Sequence, residues 1–443
     1  MNAPIAAKLV GSAAAQAKFA NLYARMRASR ARALISNPRT AGLYTGLSGD
    51  PTMSATAPAA GSNPATVLFN AVNGSTPSSL FAILGGWTQV SGSFSYPVAV
   101  TRALGETQTG GTTAVAGQTS HRIAFYSTAA TVTVRLQTTQ LYKVRVLVEG
   151  QYTSLTGYDF TATGVNNYLT LTFPARAPLG RLIEIETAAG NTQGGSNGNM
   201  LFGGVYQAAN ETIWAPEKSP RVIYAGDSYG IGAGASINGN GLAFVAKDYL
   251  GTNDLMSSSL SGSGYIVRPG GTQPALRDRL FDIIGNSPEA LFLCNGTNEA
   301  GNEGNTYNGI TVSTATTQAE ATAQLQAFRS AKPLLPIIVF GPWRFASVTQ
   351  RNRVALYEAA IQAAVVSLND PMIVFMPTVG ATPPYQNGTG YQGAVTYDGT
   401  NDWAMWTDAT HPTDEGHAML GQRLAADVMV GLKRIALNLG LPA

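Results

Sequence analysis

Cross-linking and ionisable residues are scarce in this chain of 443 residues. It contains one cysteine, Cys294, three histidines, and a charged fraction of only 12%. A single cysteine excludes an internal disulfide, so packing alone must hold the fold. Three histidines and one cysteine leave few ligands for a transition metal, and we expect no metal site and no cofactor. No run approaches the roughly 20 apolar residues that span a bilayer, so we expect no membrane span.

Acidic residues are absent from the first 49 positions, which hold seven basic residues. Phe19, Leu22, Tyr23 and Met26 fall at helical spacing, which favours a helix that docks on a partner subunit or a larger assembly. A disordered or processed leader is the alternative, and a nucleic-acid arm is disfavoured. The segment makes a poor signal peptide, because its apolar part has little Leu or Val and more basic residues follow it than precede it.

Two further regions differ in their hydrophobic pattern. Residues 48–66 are rich in Pro, Ser, Ala and Gly, which is typical of a linker. From 67 to 210, short runs alternate apolar and polar residues, as in "TVTVRLQ" (131–137), at roughly 10-residue spacing between turn residues. This pattern predicts an antiparallel β-sandwich.

From residue 221 onward, buried strands alternate with helices. Short apolar runs without alternation indicate parallel strands: "RVIYA" (221–225), "ALFLC" (290–294), "PIIVF" (336–340) and "MIVFM" (372–376). Residues 316–331 and 349–368 are predicted helices, and a last helix is expected to begin near Thr413. The pattern predicts an α/β fold, a flavodoxin-like open parallel sheet with helices on both faces. We therefore divide the chain into a leader with linker (1–66), a β-sandwich (67–210) and an α/β domain (211–443).

A serine, a histidine and an aspartate have the spacing of a nucleophilic site. Ser228, in "GDSY", directly follows the first predicted strand and so lies at the carboxyl edge of the sheet. Asp408 and His411 are three residues apart, just before the last helix, so the carboxylate can hold one imidazole nitrogen while the other faces Ser228. His417, within that helix, is expected to pack or cap locally.

Two further motifs supply candidate oxyanion donors. "SLSGSGY" (259–265) follows a predicted strand at 254–258, and "CNGTNEAG" (294–301) follows the next one. A glycine N–H can approach a substrate closely, and an asparagine amide can donate to the same oxygen. We assign Gly262, by spacing in preference to Gly264, and Asn298.

The four motifs resemble, in order, those of the SGNH (GDSL) hydrolase superfamily: "GDSY", "LSGSG", "NGTNE" and "DATHP". The resemblance implies that Ser228 is the nucleophile and an oxyanion donor through its own N–H. It implies that Gly262 and Asn298 are the other donors, His411 the base and Asp408 its partner. The sequence departs from the family at Tyr229, where Leu is commoner, and at Glu299, where Asp is commoner.

The surroundings of these motifs favour a sugar ester as substrate. A β-sandwich before the hydrolase domain resembles the jelly-roll-like domain of some carbohydrate esterases. The segment 377–406 is rich in Gly, Asn, Thr, Tyr and Trp and leads directly to Asp408. Substrate contacts are expected from Trp343, Arg344, Trp403, Trp406 and Tyr229. The alternative is that these aromatic side chains fill the core of a loose loop.

We therefore expect a serine esterase that removes acyl groups, foremost acetyl, from a carbohydrate or polysaccharide through an acyl-enzyme. The alternatives are a lipase-like or thioesterase-like enzyme acting on small or lipid esters, and a non-catalytic glycan-binding or phage-tail module. The expected partner is an acylated carbohydrate and not nucleic acid, with a homo-oligomer or a larger assembly left open. The expected location is extracellular, periplasmic or virion-associated.

Overall fold

The structure is a computed structural model, and the residues it describes are 12–46, 52–54, 66–73, 76–85, 87–91, 94–98, 121–138, 143–160, 165–188, 200–271, 274–343, 348–386, 390–393 and 402–442. These residues divide into two compact units. One lies between Arg32 and Lys218, and the other combines the chain up to Ala31 with the chain from Ser219 onward. The predicted linker falls largely outside the described residues, and the three-part division stays a prediction.

The unit between Arg32 and Lys218 consists of short strands. They are β1 (Thr52–Ser54), β2 (Val67–Asn70), β3 (Val72–Asn73), β4 (Thr76–Pro77), β5 (Ala82–Leu84), β6 (Trp87–Ser91), β7 (Phe94–Val98), β8 (Arg122–Ser127), β9 (Thr131–Thr138), β10 (Lys143–Val148), β11 (Gln151–Tyr152), β12 (Tyr158–Asp159), β13 (Asn166–Thr172), β14 (Arg181–Ala188), β15 (Met200–Gln207) and β16 (Ile213–Trp214).

These strands pair in two larger antiparallel sheets. One has the order β1-β13-β9-β15-β7-β6, with β2 also on β15; the other has the order β11-β10-β14-β8-β16, with β12 on β10 and β5 on β8. Alternate residues of β9 are buried, as the pattern predicts: Val132, Val134 and Leu136 are each 0% exposed. They share a hydrophobic cluster with Val144 and Val146 of the other sheet. The jelly-roll-like class stays a prediction.

The second unit alternates strands with helices. Its strands are β17 (Val222–Gly226), β18 (Leu255–Ser257), β19 (Ala290–Cys294), β20 (Thr306–Tyr307), β21 (Ile310–Thr311), β22 (Ile337–Phe340) and β23 (Ile373–Met376). The α-helices in the described residues are α1 (Ala13–Ile35), α2 (Ser228–Ile231), α3 (Leu242–Leu250), α4 (Leu280–Gly285), α5 (Thr297–Gly301), α6 (Thr314–Ala331), α7 (Val348–Leu368) and α8 (Asp414–Asn438). None of these described helices combines the length and the apolar character needed to cross a bilayer.

Five strands form one parallel sheet in the order β18-β17-β19-β22-β23. This confirms the predicted parallel sheet with helices. Successive residues of β17 point to opposite faces: Val222 and Tyr224 share a core with residues of α1, α3 and α8, while Ile223 and Ala225 lie equally buried on the other side. The strand order reverses at β17, and ligands of open α/β sheets bind beyond the carboxyl ends at such a point.

Helix α1 packs on its own unit. Phe19, Leu22, Tyr23 and Met26, the residues of the predicted apolar stripe, are buried in the same core as α3 and α8. Arg25 Nη1 lies 2.6 Å from Glu289 Oε2 at the helix surface. The face that we expected to dock on a partner is thus covered within the chain, because its apolar side chains complete this core.

Candidate active site

Ser228 lies at the first position of α2, directly after β17. Asp227 caps this short helix, since its Oδ1 accepts a hydrogen bond from the Tyr229 N–H at 3.0 Å. The helix ends at Gly232, whose φ of 81° is in the left-handed region that glycine adopts without strain. Ser228 is only 6% exposed, so this turn presents it at the edge of a packed core.

His411 and Asp408 form a hydrogen-bonded pair just before α8. His411 Nδ1 lies 2.7 Å from Asp408 Oδ2, and Asp408 Oδ1 accepts the N–H groups of Thr410 and His411, each at 2.9 Å. Burial raises the pKa of Asp408, but the hydrogen bonds from His411 and Thr410 outweigh burial and lower that pKa to about 2. Asp408 is therefore ionised near neutral pH, and it leaves Nε2 of His411 as the nitrogen that can act as a base.

The Ser228 turn and the His411 segment meet through Tyr229. The Tyr229 hydroxyl donates to the Thr410 carbonyl at 2.5 Å, and its ring centroid lies 6.0 Å from that of His411. A Cβ placed on Gly234, in the loop after α2, would lie 3.0 Å from His411 Cβ. The structure therefore brings His411 and its carboxylate partner to the turn that carries Ser228.

Asp227 differs from Asp408 in its electrostatic surroundings. It is fully buried, and burial raises the pKa of its carboxyl to about 7. The Tyr229 N–H, the nearby His411 and the Thr297 hydroxyl oppose this increase. Asp227 thus shapes the turn, while Asp408 is the carboxylate that binds the imidazole.

The candidate oxyanion donors lie after β18 and β19, the two neighbours of β17. Gly262 has a φ of 72° in the loop after β18. The Gly264 N–H donates to the Val267 carbonyl at 3.1 Å and is therefore occupied within that loop, which favours Gly262 as the donor. The Asn298 side-chain amide donates to the Ser263 carbonyl at 2.8 Å, and its second N–H is left for an oxyanion.

The predicted substrate contacts fall into three groups. Trp343 and Tyr229 are 1% and 0% exposed, and their rings stack in the core with centroids 5.4 Å apart, which contradicts the prediction that they face a sugar. Arg344 lies outside the described residues. Trp403 and Trp406, in the segment before His411, are 47% and 40% exposed.

Two other reactive side chains are built into the core. His417 Nδ1 accepts the Leu242 N–H at 3.2 Å and its Nε2 donates to the Ala233 carbonyl at 2.9 Å, while burial lowers its pKa to about 4. The Cys294 thiol donates to the Gly341 carbonyl at 3.1 Å, and burial raises its pKa. Both side chains pack locally, which for His417 is the predicted outcome.

Sequence reasoning missed two buried carboxylates at this edge of the sheet. Glu299 accepts hydrogen bonds from the backbone N–H groups of 266–267, and Glu358 accepts them from the N–H groups of 378–380. For Glu299, the position directly after Asn298 in the sequence could have indicated a role at the site. Nothing in the sequence marks Glu358, which lies between apolar residues of the helix α7.

Solved structures share the overall fold at low sequence identity. A salicylyl-acyltransferase from a tetracycline biosynthetic pathway superposes with a TM-score of 0.57 at 17% identity, over 81% of this chain and 98% of that chain. A family two carbohydrate esterase from Cellvibrio japonicus gives 0.56 at 12% identity, over 81% and 97%. An acetyl xylan esterase from the rumen bacterium Butyrivibrio proteoclasticus gives 0.54 at 13%, over 81% and 96%. The chain has the fold of the SGNH hydrolases.

The four motifs therefore lie on an SGNH fold, each at the carboxyl edge of the parallel sheet or in the segment before the last helix. No protein-family model and no curated protein sequence matches the chain. At these identities the likeness concerns the SGNH fold alone.

Proposed function

We propose that this protein is a serine esterase that removes acyl groups, foremost acetyl, from a carbohydrate or polysaccharide. The observation that carries the proposal is the 2.7 Å hydrogen bond between His411 and Asp408, in a segment that Tyr229 ties to the Ser228 turn. A serine hydroxyl is a weak nucleophile without a neighbouring base, and these contacts support His411 as that base.

In the first step, Ser228 Oγ attacks the ester carbonyl carbon and its proton passes to His411 Nε2. The negative charge that forms on the carbonyl oxygen is stabilised by the N–H groups of Ser228 and Gly262 and by the Asn298 amide. The carbon–oxygen bond to the sugar then breaks, and His411 gives its proton to the departing alkoxide. The products are the free sugar hydroxyl and an acyl-Ser228 ester.

In the second step, water replaces the sugar. His411 Nε2 removes a proton from a water molecule, whose oxygen attacks the acyl carbon. The same donors stabilise the second oxyanion, which collapses to a carboxylic acid as Ser228 regains its proton from His411. Asp408 remains ionised throughout and stabilises the imidazolium that forms in each step.

Exposed tryptophans support a carbohydrate as the alcohol part of the substrate. Trp403 and Trp406 are 47% and 40% exposed, and the backbone N–H of Trp406 donates to the His411 carbonyl at 2.7 Å, so both tryptophans lie in the segment that carries the base. Flat aromatic faces suit the apolar faces of sugar rings. The names of the neighbours, a carbohydrate esterase and an acetyl xylan esterase, agree with this choice. Such a substrate suits an extracellular, periplasmic or virion-associated protein.

The test is hydrolysis by the full chain and by Ser228→Ala. The wild-type protein should hydrolyse p-nitrophenyl acetate and release acetate from acetylated polysaccharide, and Ser228→Ala should lower both rates by at least about 1,000-fold. Ser367→Ala, at an exposed helix position, is the matched control and should act like wild type. Equal activity in Ser228→Ala would refute the mechanism, and preference for long-chain acyl esters would replace the sugar ester by a lipid ester.

A further inference from the structure

Glu299 is a buried carboxylate that the reaction described above does not use. It is 0% exposed and directly follows Asn298 in α5. Its Oε1 accepts the N–H groups of Ile266 at 2.9 Å and Val267 at 3.2 Å. Burial raises the pKa of Glu299, and backbone N–H groups oppose that increase. A buried carboxylate is costly unless hydrogen bonds compensate it, so these bonds are essential to its placement.

The loop 262–267, which we call the oxyanion loop, closes around this carboxylate. A Cβ on Gly264 would lie 2.0 Å from Glu299 Oε1, so the loop can approach only because glycine stands there. The Gly264 N–H donates to the Val267 carbonyl at 3.1 Å, and the Gly264 carbonyl accepts the Leu276 N–H at 2.7 Å. Both hydrogen bonds hold the backbone of Gly264, the residue that lies against the Glu299 carboxylate.

Asn298 holds the same loop from its other end. Its amide donates to the carbonyl of Ser263, the residue that follows Gly262, at 2.8 Å. Two adjacent residues after β19 therefore hold the oxyanion loop. Asn298 donates to a carbonyl of the loop, and Glu299 accepts two of its N–H groups. The separation between the Gly262 N–H and the Asn298 amide depends on both attachments.

We propose that Glu299 is a positioning residue that sets the separation of these two oxyanion donors, an inference that rests on the proposed esterase function. Oxyanion donors act at about 2.7–3.1 Å from the developing charge. A displacement of about 1 Å can reduce the rate about 100-fold. Because the donors act mainly in the transition state, disturbing Glu299 lowers kcat and leaves KM nearly unchanged.

Glu358 is a matched control for Glu299. It is a buried carboxylate that also holds a loop, but its loop carries no proposed oxyanion donor. It is 6% exposed, and it accepts the N–H groups of Thr378, Val379 and Gly380 at 2.7, 2.8 and 2.6 Å. Its loop follows β23, at the same edge of the sheet. Glu358→Gln therefore measures what it costs to disturb a loop held by a carboxylate.

The experiment compares Glu299→Gln, Glu299→Ala and Glu358→Gln in the full chain. We expect Glu299→Gln to lower kcat for p-nitrophenyl acetate about tenfold with KM within about threefold, and Glu358→Gln to change kcat less than about twofold. A small alkylboronic acid, which mimics the tetrahedral intermediate on Ser228, should bind Glu299→Gln more weakly by the factor lost in kcat. Glu299→Ala, if folded, should lose more than the glutamine variant does.

A kcat for Glu299→Gln within about twofold of that for Glu358→Gln, per mole of folded protein, would overturn the positioning role. So would unchanged boronate affinity. If Glu299→Ala does not fold, Glu299→Gln decides alone, since glutamine keeps the volume and one acceptor oxygen. Ser228→Ala separates the two proposals: its full activity refutes the esterase mechanism, whereas Ser228-dependent activity with normal Glu299 variants refutes only the inference.

Discussion

The two halves of the candidate site are held in place by different forces. The nucleophile half lies in the core: Ser228 is 6% exposed and Tyr229 is 0% exposed. The base half lies nearer the surface, where the side chains of His411 and Asp408 are 21% and 30% exposed. Hydrogen bonds from the backbone and the ring of His411 to the Asp408 carboxylate hold this half together. Changes in the buried half should therefore affect stability and activity together, whereas changes in the exposed half should affect activity far more than stability.

The largest expected effect is that of Asp408→Asn in the exposed half. The asparagine cannot stabilise an imidazolium and can bind the wrong tautomer of His411, so kcat for p-nitrophenyl acetate should fall about 1,000-fold. The melting temperature should fall only modestly, because the pair is partly exposed and an asparagine oxygen can still accept the backbone N–H groups of Thr410 and His411. Asp159→Asn, with a side chain 71% exposed in the other unit, is the control for loss of one charge. A large fall in melting temperature would show that this half is also part of the structural core.

In the buried half, Gly230→Ala should reduce both stability and activity. A Cβ on Gly230 would lie 2.1 Å from Ser259 Oγ and 2.5 Å from a ring carbon of Tyr224. Overpacking of this kind costs about 1–3 kcal/mol of unfolding free energy, and it displaces the helix that carries Ser228. Urea denaturation and kcat should show both losses. Gly285→Ala, where no atom lies within 4 Å of the added Cβ, should show neither.

His417 links the buried half to the last helix and should give it a pH-dependent stability. Burial lowers its pKa to about 4, below the 6.5 of an unperturbed histidine. Between these values the unfolded chain binds a proton that the folded chain does not, so the stability from His417 is complete above pH 6.5 and is lost as pH falls towards 4.

From pH 7 to pH 5 this contribution should fall by about 2 kcal/mol. Urea denaturation gives the free energy of unfolding of wild type and of His417→Gln at both pH values. The difference between the two proteins should be about 2 kcal/mol smaller at pH 5 than at pH 7. His121→Gln, a histidine of the other unit, serves as the comparison variant. An equal difference at both pH values would mean that His417 is accessible to protons in the folded protein.

The sequence predicts where the four motifs lie in the fold because each one follows a strand or precedes the last helix. Ser228 and Asn298 could be placed at one edge of the sheet from the strands they follow, since the carboxyl ends of parallel strands meet there. The periodicity of α1 was also visible. Periodicity shows which face of α1 is apolar, but it does not show which other elements of the chain cover that face.

Burial is what the sequence could not give. Trp343 and Tyr229 are aromatic residues of the kind that also bind sugars. Only tertiary packing shows that their rings stack on each other inside the core. The carboxylates of Glu299 and Glu358 were missed for the same reason, because their partners are backbone N–H groups remote in sequence. Backbone donors leave no residue-type signature.

The smallest expected effect belongs to the outer rim of the exposed half, where Trp403 and Trp406 offer the two remaining aromatic faces. The double variant Trp403→Ala/Trp406→Ala should lower kcat/KM for acetylated polysaccharide about tenfold, because stacking on sugar rings is lost. It should change kcat/KM for p-nitrophenyl acetate less than about threefold, because this small ester has no sugar ring to stack on the outer rim. Phe281→Ala, an aromatic 84% exposed in α4, controls for loss of an exposed ring. Equal losses on both substrates would mean that the tryptophans support His411 and do not bind a sugar.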